Sequence, residues 1–192
     1  MHNNLKVLLC EPEGAANLGY IARIMANTGF SSLSFTGSLS GREQAASRYA
    51  VNSGHILDNA KKYEAFESLI STSDIIIGFS PRNPWNDGLS LPYEHLSEAV
   101  RTELSKGKRI GLLFGNEATG LSNSQLNKCH YRTPLPTTNE CPSMNLSHAV
   151  LVVLWEIRTA LTKSPIQLCN ADFATKEQRS ILQNKLNELM QI

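Results

Sequence analysis

The sequence has few cysteines and no closely spaced cysteine pair. Its four cysteines, Cys10, Cys129, Cys141 and Cys169, are widely separated, and no C-x-x-C motif occurs. Disulfide frameworks and zinc sites both use cysteines at short, repeated spacings. The sequence therefore supports neither kind of site, and we expect buried, reduced thiols in a cytoplasmic protein.

The chain also lacks a long apolar segment. Its longest apolar run is AVLVVLW, whereas a helix needs roughly 20 apolar residues to cross a bilayer. The N-terminal segment MHNNLKVLLCEPEG has no apolar stretch followed by a cleavage site of small residues. We therefore expect neither a membrane span nor a secretory signal.

A net charge is almost absent as well. The chain carries 18 Lys and Arg against 17 Asp and Glu, which gives +1 at pH 7. A protein without a general basic field can bind nucleic acid only through a local patch. Scattered basic residues more often form an ordinary solvated surface. The residues that could supply a patch are Arg42, Arg48, Lys106, Lys108, Arg109 and Arg132.

Two signatures of nucleotide-binding enzymes are missing, namely G-x-G-x-x-G after the first predicted strand and G-x-x-x-x-G-K-[ST]. A dinucleotide or nucleoside triphosphate enzyme is therefore poorly supported. A serine hydrolase fits poorly too, because no G-x-S-x-G elbow presents Ser143. His148 follows it by five residues, a poor spacing for one helix face.

The composition that is present is that of a globular protein. The 192 residues are 41% hydrophobic, enough for one sizeable core. Short apolar runs alternate with helical patterns, which predicts an α/β fold with a mostly parallel sheet and helices on both faces. The predicted strands are LKVLLC, SSLSFTG, DIIIGFS, RIGLLFG and YRTPLP. The predicted helices are NLGYIARIMANTG, GREQAASRYAVNSG, KKYEAFESLIST, PYEHLSEAVRTELSKG, SNSQLNKC and MNLSHAVLVVLWEIRTALTK.

The sequence predicts a domain at residues 1–163, followed at residues 164–192 by a linker and a C-terminal helix. SPIQLCNAD has the composition of a linker, and TKEQRSILQNKLNELMQI has a helical pattern. Its apolar residues share one face, which we expect to pack on the core or on a partner subunit. These residues are Ile181, Leu182, Leu186 and Leu189.

Ligands of parallel α/β sheets bind where the strands end, and three stretches stand out there. They are Asn17-x-Gly19-x-x-x-Arg23, Phe114-Gly115-Asn116-Glu117-x-x-Gly120, and Pro142-Ser143-Met144-Asn145. In this order and spacing they resemble the three motifs of the SPOUT superfamily of RNA methyltransferases. They are most similar to its TrmH family, which methylates ribose 2′-hydroxyls with S-adenosylmethionine. CEPEGAANLGYIARIMANTGF and NKCHYRTPLP narrow the resemblance to TrmJ-like tRNA methyltransferases.

The resemblance covers roughly residues 5–162 and implies a trefoil knot near the C-terminal end, with S-adenosylmethionine bound in a bent shape. It implies a homodimer with tRNA spanning both subunits, and no metal. The implied target is the ribose of the pyrimidine nucleotide at position 32 of the anticodon loop. The alternatives are another tRNA or ribosomal RNA position, and a SPOUT-like RNA-binding protein without catalysis.

The resemblance also assigns site residues. The implied catalytic residues are Asn17, Arg23, Glu117, Ser143 and Asn145. The implied cofactor-binding residues are Phe79, Ser80, Pro81, Gly115, Asn116, Leu135, Pro142, Ser143, Met144 and Leu146. Leu135, Pro136, Met144 and Leu146 would wall the purine.

Each catalytic residue has an expected role. Arginine scarcely deprotonates, so we expect Arg23 to bind phosphate and orient the ribose rather than to act as a base. We expect Glu117 to accept hydrogen bonds from loop amides or from Asn17 and Ser143. Simple helix capping is the alternative for Asn17, Ser143 and Asn145, and a favourable charge at a helix N-terminus is the alternative for Glu117.

Overall fold

The computed structural model describes residues 4–38, 41–81, 90–162 and 174–190. The chain divides into two compact units, Met1–Thr162 and Lys163–Ile192. The predicted linker SPIQLCNAD and its Cys169 lie outside the described residues. No helix in the described ranges is long and apolar enough to span a membrane.

The first unit is built on a six-stranded sheet in the order β3-β2-β1-β5-β4-β6, in which every neighbouring pair is parallel. The predicted α/β class is therefore confirmed. The strands are β1 Leu5–Leu9, β2 Ser32–Thr36, β3 Lys61–Tyr63, β4 Ile75–Phe79, β5 Ile110–Phe114 and β6 Tyr131–Thr133.

Helices and one 3₁₀ turn connect these strands. The helices are α1 Ala15–Thr28, α2 Glu43–Tyr49, α3 Gly54–Asp58, α4 Phe66–Ile70, α5 Leu96–Ser105, α6 Asn123–Leu126, α7 Leu146–Thr162 and, in the second unit, α8 Lys176–Leu189. The 3₁₀ turn Tyr93–His95 leads into α5.

Both faces of the sheet are covered, as the alternation of side chains along β1 shows. Val7 and Leu9 belong to the larger apolar cluster, with residues of α1, α5 and α7. Leu8 belongs to the smaller cluster on the opposite face, with residues of α4 and α6. Successive side chains of a strand point to opposite faces, so the near-continuous apolar strands predicted from the sequence are buried on both sides.

Two segments differ from the predicted elements. In the predicted helix KKYEAFESLIST, Lys61–Tyr63 forms the edge strand β3 on β2, and only Phe66–Ile70 is helical. In the predicted helix GREQAASRYAVNSG, helical structure ends at Tyr49, and Asn52 beyond it adopts a left-handed conformation with φ 62°. Pairing with a neighbouring strand and a turn both depend on the rest of the fold, which local periodicity does not report.

The helix α1 forms because its apolar residues recur at helical spacing and face the sheet. Leu18, Ile21 and Met25 are fully buried. The helix ends at Gly29, the last residue of the predicted helix, whose φ of 79° is the left-handed conformation typical of a glycine C-cap. The predicted N-cap is wrong, because Gly14 occupies that position and Asn17 lies inside the first turn.

Gly19 brings α2 close to α1. A Cβ atom at Gly19 would lie 2.3 Å from the Ala46 carbonyl oxygen and 2.6 Å from Tyr49 Cβ. No side chain fits in this space, so the glycine of the first motif serves helix packing.

The long helix α7 has a buried face and an exposed face. Its buried residues include Val150, Val153 and Ile157. On the other side, Leu151 and Trp155 are exposed. In α8, the four residues of the predicted apolar face, from Ile181 to Leu189, are exposed by 45% to 69%.

Candidate active site

A cleft opens at the carboxyl ends of β4 and β5. It is lined by the residues that follow β4, by the turn after β5, and by the segment that leads into α7. All ten residues predicted to bind the cofactor lie on its walls: Phe79, Ser80, Pro81, Gly115, Asn116, Leu135, Pro142, Ser143, Met144 and Leu146. Pro136, predicted to help wall a purine, is not among the lining residues.

The turn after β5 is shaped by its two glycines. Gly120 has φ 66° and donates its N–H to the Asn116 carbonyl at 2.8 Å. A Cβ atom at Gly115 would lie 2.1 Å from the Gly120 carbonyl carbon and 2.3 Å from the Leu121 nitrogen. Only glycine permits this close approach, which leaves backbone groups of the turn at the cleft.

The inner wall of the cleft is apolar. The rings of Phe79 and Phe114 stack with centroids 4.7 Å apart and an angle of 16°, and both residues are buried. Leu135, Met144 and Leu146 continue this wall. An apolar niche edged by backbone amides and carbonyls fits the adenosine part of S-adenosylmethionine.

Glu117, at the edge of the cleft, holds the loop between β1 and α1. Its Oε2 accepts from the Glu13 N–H at 2.8 Å, and its Oε1 accepts from the Gly14 N–H at 2.8 Å and from Asn17 Nδ2 at 3.0 Å. The predicted bonds from loop amides and Asn17 are therefore present. Among the described residues Ser143 is not a donor to this carboxylate, which corrects that part of the prediction.

These bonds also set the protonation of Glu117. Burial by itself raises the pKa of this carboxyl, but hydrogen bonds from Asn17 and from the N–H groups of Glu13 and Gly14 outweigh it, and the pKa is lowered. A general base works best with a pKa near the operating pH. Glu117 is therefore an ionised acceptor that organises the loop, and not a proton carrier.

Asn17 also connects the loop before α1 to the start of α7. Its Oδ1 accepts from Asn145 Nδ2 at 3.0 Å. The Oδ1 of Asn145 in turn accepts from the backbone N–H and the hydroxyl of Ser147, at 2.9 Å and 2.7 Å. Asn145 therefore has two roles: it caps α7, and it is hydrogen-bonded to Asn17. Ser143, two residues before the cap, lines the cleft.

Glu117 and Ser143 are the predicted catalytic residues that line the cleft. Asn17 and Asn145 are not lining residues, but they belong to one hydrogen-bonded chain with Glu117. Arg23 belongs neither to the lining nor to this chain. It lies on the exposed face of α1, two turns beyond Asn17, and it is absent from the cleft lining. Asn17, Glu117 and Asn145 form one bonded chain with Ser143 nearby, but Arg23 stands apart from it.

Arg42 contributes to the site in a way that the sequence did not reveal. Its Nη1 donates to the Glu13 carbonyl at 2.7 Å and to the Pro12 carbonyl at 3.4 Å. The loop is thus held through its N–H groups by Glu117 and through its carbonyls by Arg42. The sequence offered only a basic residue for a surface patch, because a contact with backbone carbonyls leaves no pattern.

Not all of the six basic residues that could supply a surface patch are exposed and unpaired. Arg132 is buried and donates to the Leu126 carbonyl and to Asn127 Oδ1, both at 3.0 Å, so it does not contribute to a surface patch. Arg109 forms a bidentate pair with Asp74, at 2.7 Å and 3.2 Å. Surface ion pairs of this kind leave less free positive charge for RNA.

The thiols lie in two environments. Burial raises the pKa of Cys10, and it raises that of Cys129 to about 12. Both stay protonated and unreactive at neutral pH, as expected for buried thiols. Cys141 is exposed, contrary to that expectation, because the loop before α7 follows the protein surface. Within the described ranges no group of acidic, histidine or cysteine residues could hold a metal.

Sequence relatives share most of the chain. This chain is 36% identical over 186 residues to the tRNA (cytidine-2′-O-)-methyltransferase TrmJ of Methanocaldococcus jannaschii. The matched region covers 97% of this chain and 81% of that protein. It is 29% identical over 165 residues to the tRNA (cytidine/uridine-2′-O-)-methyltransferase TrmJ of Citrobacter koseri, covering 83% of this chain and 65% of that longer protein.

Solved structures share the fold. A probable methylase family protein from Haemophilus influenzae superimposes with a TM-score of 0.76 at 24% identity, over 100% of this chain and 80% of the other. A structure described as giving insights into the 2-OH methylation of C/U34 on tRNA has a TM-score of 0.62 at 25% identity. The match covers 82% of this chain and 96% of the other. The AdoMet-bound rRNA methyltransferase from Sinorhizobium meliloti has a TM-score of 0.61 at 22% identity. The match covers 84% of this chain and 58% of the other.

The family assignment rests on the length of chain matched. The model of the SpoU rRNA Methylase family matches residues 4–155, a range that contains the whole sheet, the cleft and most of α7. The chain belongs to the SpoU rRNA Methylase family.

Proposed function

We propose that the protein is an S-adenosylmethionine-dependent tRNA ribose 2′-O-methyltransferase. The observation that carries the proposal is the chain of hydrogen bonds from Glu117 through Asn17 to Asn145, at 3.0 Å each. It joins three segments that are distant in sequence at the edge of one cleft. The family membership and the names of the TrmJ relatives support the same activity.

The cofactor assignment follows from the cleft and the family. The apolar wall of Leu135, Met144 and Leu146 suits the purine, and the backbone of the turn at Gly115 and Gly120 suits its polar edge. A related structure is described as AdoMet-bound. When bound, S-adenosylmethionine would supply a sulfonium methyl group to the ribose 2′-oxygen, with S-adenosylhomocysteine as the leaving group and the 2′-hydroxyl proton passing to solvent.

The protein's own contribution is mainly positional. An in-line displacement depends on the alignment of its two reacting atoms. Asn145 fixes the start of α7, and Glu117 fixes the loop before α1. A hydrogen bond between Asn145 and Asn17 then holds the starts of the two helices together. Ser143 stands on the cleft wall, where its hydroxyl can bond the cofactor or the ribose.

We also propose a homodimer, formed through the outward faces of α1 and α7. The two helices run side by side in the same direction, because Asn17 bonds Asn145 near their starts and Arg158 donates to the Thr28 carbonyl near their ends, at 3.0 Å. Their outer faces carry exposed apolar residues, which are Tyr20, Leu151 and Trp155. Burial of such a surface favours association.

The dimer also gives Arg23 a role. It is exposed on the same outward face of α1 as Tyr20. With a second subunit against this face, its guanidinium can bind phosphate and orient the ribose of RNA that spans both subunits.

The target that we propose is the pyrimidine nucleotide at position 32 of the anticodon loop, as the resemblance of the sequence motifs implies. The names of two TrmJ relatives specify cytidine, or cytidine and uridine, without a position. A second candidate is position 34, because a similar structure at 25% identity is described by its methylation of C/U34. The trefoil knot and the cytoplasmic location remain predictions from the sequence.

The test uses the full chain with S-adenosylmethionine labelled in its methyl group and, in separate reactions, bulk tRNA or ribosomal RNA, followed by mass spectrometry of nuclease fragments. We expect label on one ribose, and none on an RNA with 2′-deoxyribose at that position. Calorimetry measures cofactor binding separately. Absence of binding would favour a SPOUT-like RNA-binding protein without catalysis, and label on ribosomal RNA instead of tRNA would overturn the proposed substrate.

A further inference from the structure

Arg42 and Glu117 hold the same two peptide groups of the loop before α1. Arg42 Nη1 donates to the Pro12 carbonyl at 3.4 Å and to the Glu13 carbonyl at 2.7 Å. Glu117 accepts from the N–H groups of Glu13 and Gly14, each at 2.8 Å. The Pro12 carbonyl and the Glu13 N–H belong to one planar peptide group, and the Glu13 carbonyl and the Gly14 N–H belong to the next. Each peptide group is therefore held at its oxygen by a cation and at its nitrogen by a carboxylate.

This arrangement couples the two charged side chains through the backbone. The C=O and N–H of a trans peptide group point in opposite directions, so a donor at the oxygen and an acceptor at the nitrogen together fix its orientation. Hydrogen bonds in a chain also polarise one another. The guanidinium at each carbonyl therefore makes the N–H of the same group a better donor. Loss of Arg42 should weaken the bonds to Glu117, in which Arg42 itself takes no part.

The helix α2 anchors Arg42 independently of the loop. Arg42 occupies the N-cap position of α2. Further along α2, Ala46 and Tyr49 pack directly over Gly19 of α1, and the Tyr49 ring lies edge-on to that of Tyr20 with centroids 5.2 Å apart. These contacts hold α2 on α1 without Arg42, so removal of its guanidinium should release the loop and leave the two helices packed.

We propose that Arg42 is a positioning residue for methyl transfer. By holding the two peptide groups, it keeps Glu117 and Asn17 in the arrangement that fixes the start of α7 through Asn145. The inference rests on the proposed function and deepens it, since it adds a residue that orders the same site. The alternative for this arginine is a contact with an RNA phosphate, which the test separates from positioning.

The first measurement is a double-mutant cycle on kcat, at saturating tRNA and S-adenosylmethionine, with Arg42→Met, Glu117→Gln and the double variant. We expect Arg42→Met to lower kcat by about tenfold or more, because a misplacement of about 1 Å can cost about 100-fold. Since both side chains hold the same peptide groups, the double variant should lose less than the product of the single losses. Arg48→Met, which removes an exposed arginine from the same helix, is the matched control. It should leave kcat near wild type.

The second measurement is the affinity for tRNA at several salt concentrations. Loss of an arginine that contacts a phosphate lowers the salt slope by about one. Arg42→Met should instead keep the wild-type affinity and slope. In the amide spectrum of the folded variant, the Glu13 and Gly14 protons should move upfield, as expected for weaker hydrogen bonds. Arg42→Lys keeps one cationic nitrogen and should recover part of the lost turnover, since both bonds of Arg42 come from a single nitrogen.

Four results would overturn the inference and leave 2′-O-methylation intact. They are an unchanged kcat in Arg42→Met, single losses that multiply in the double variant, unmoved amide protons, and a salt slope lowered by about one, which would assign Arg42 to RNA binding instead. Absence of methyl transfer by the wild-type protein to any RNA would overturn the proposed function itself.

Discussion

The Nδ2 of Asn145 donates to the Oδ1 of Asn17 at 3.0 Å, across 128 positions of sequence. This bond orients both amides. It leaves Asn17 Nδ2 to donate to Glu117, and Asn145 Oδ1 to cap α7 through Ser147. The start of α1, the turn after β5 and the start of α7 are therefore one polar unit, in which every member has a fixed direction of donation.

Asn17→Asp should break this unit. The change removes the Nδ2 donor and sets a second carboxylate beside Glu117, where the two charges repel. We expect the free energy of unfolding to fall by about 2–3 kcal/mol, measured by chemical denaturation, together with weaker cofactor binding.

The matched control for that change is Asn27→Asp. Asn27 is exposed on the same helix, so the charge change is identical while the hydrogen-bonded unit is intact. Equal losses of stability in the two variants would show that Asn17 has no special role.

Glu117→Gln should lower stability in a pH-dependent way. Because the folded state holds the pKa of Glu117 below its ordinary value, its contribution is fully present above the unfolded pKa of about 4.3 and is lost as the pH falls through the folded pKa. We expect a deficit of about 1–2 kcal/mol at pH 7 that narrows below about pH 4. Denaturant unfolding at both pH values measures it.

Glu13→Gln serves as its control. It removes a neighbouring charge but keeps the backbone N–H bond from residue 13 to Glu117. A loss of unfolding free energy in Glu117→Gln that is constant with pH, or equal to that in Glu13→Gln, would contradict the role of Glu117 as an ionised hydrogen-bond acceptor.

Gly19→Ala should separate α1 from α2. The added Cβ would lie 2.3 Å from the Ala46 carbonyl oxygen, and such overpacking costs about 1–3 kcal/mol. Thermal unfolding measures the loss. In Gly54→Ala the added Cβ has no neighbouring atom within 4 Å, so that control should change stability by less than about 0.5 kcal/mol. Similar melting temperatures for the two variants would contradict the packing role.

Arg23→Ala should abolish methyl transfer without affecting the fold. Arg23 is exposed and does not line the cleft, so cofactor affinity by calorimetry and the melting temperature should match wild type. We expect turnover to fall by about 100-fold or more, as for the loss of a positioning group. Arg48→Ala removes an exposed arginine from α2 and should leave turnover near normal. Near-normal turnover in Arg23→Ala would remove it from the site.

Trp155→Glu should weaken the proposed dimer. The side chain is 58% exposed on the outward face of α7, and a charge there would be buried unpaired in a subunit interface. We expect a shift towards monomer in sedimentation velocity, with normal cofactor binding. Val51→Glu, which changes a 50% exposed apolar residue after α2, is the control. Monomeric wild-type protein, or an unaffected Trp155→Glu dimer, would exclude this interface.

The parts of the fold with strong local signals were predictable. The apolar runs of β4 and β5 and the helical spacing of α1 and α7 were read correctly, and Gly29 ends α1 as expected. The structure differs from the sequence predictions where contacts between residues far apart in the chain determine the conformation or burial of a residue. Lys61–Tyr63 is a strand only because β2 lies beside it. Arg132 is buried only because carbonyl and amide oxygens near α6 accept its hydrogens.

The sequence by itself determined the α/β class, because apolar periodicity and glycine positions act over a few residues. It also placed the motif residues at strand ends. Only the tertiary structure decided what each does: Glu117 accepts three hydrogen bonds, Gly19 admits α2, and Arg23 faces outward. Hydrogen-bond direction and close packing depend on atoms far apart in the chain, so no local pattern records them.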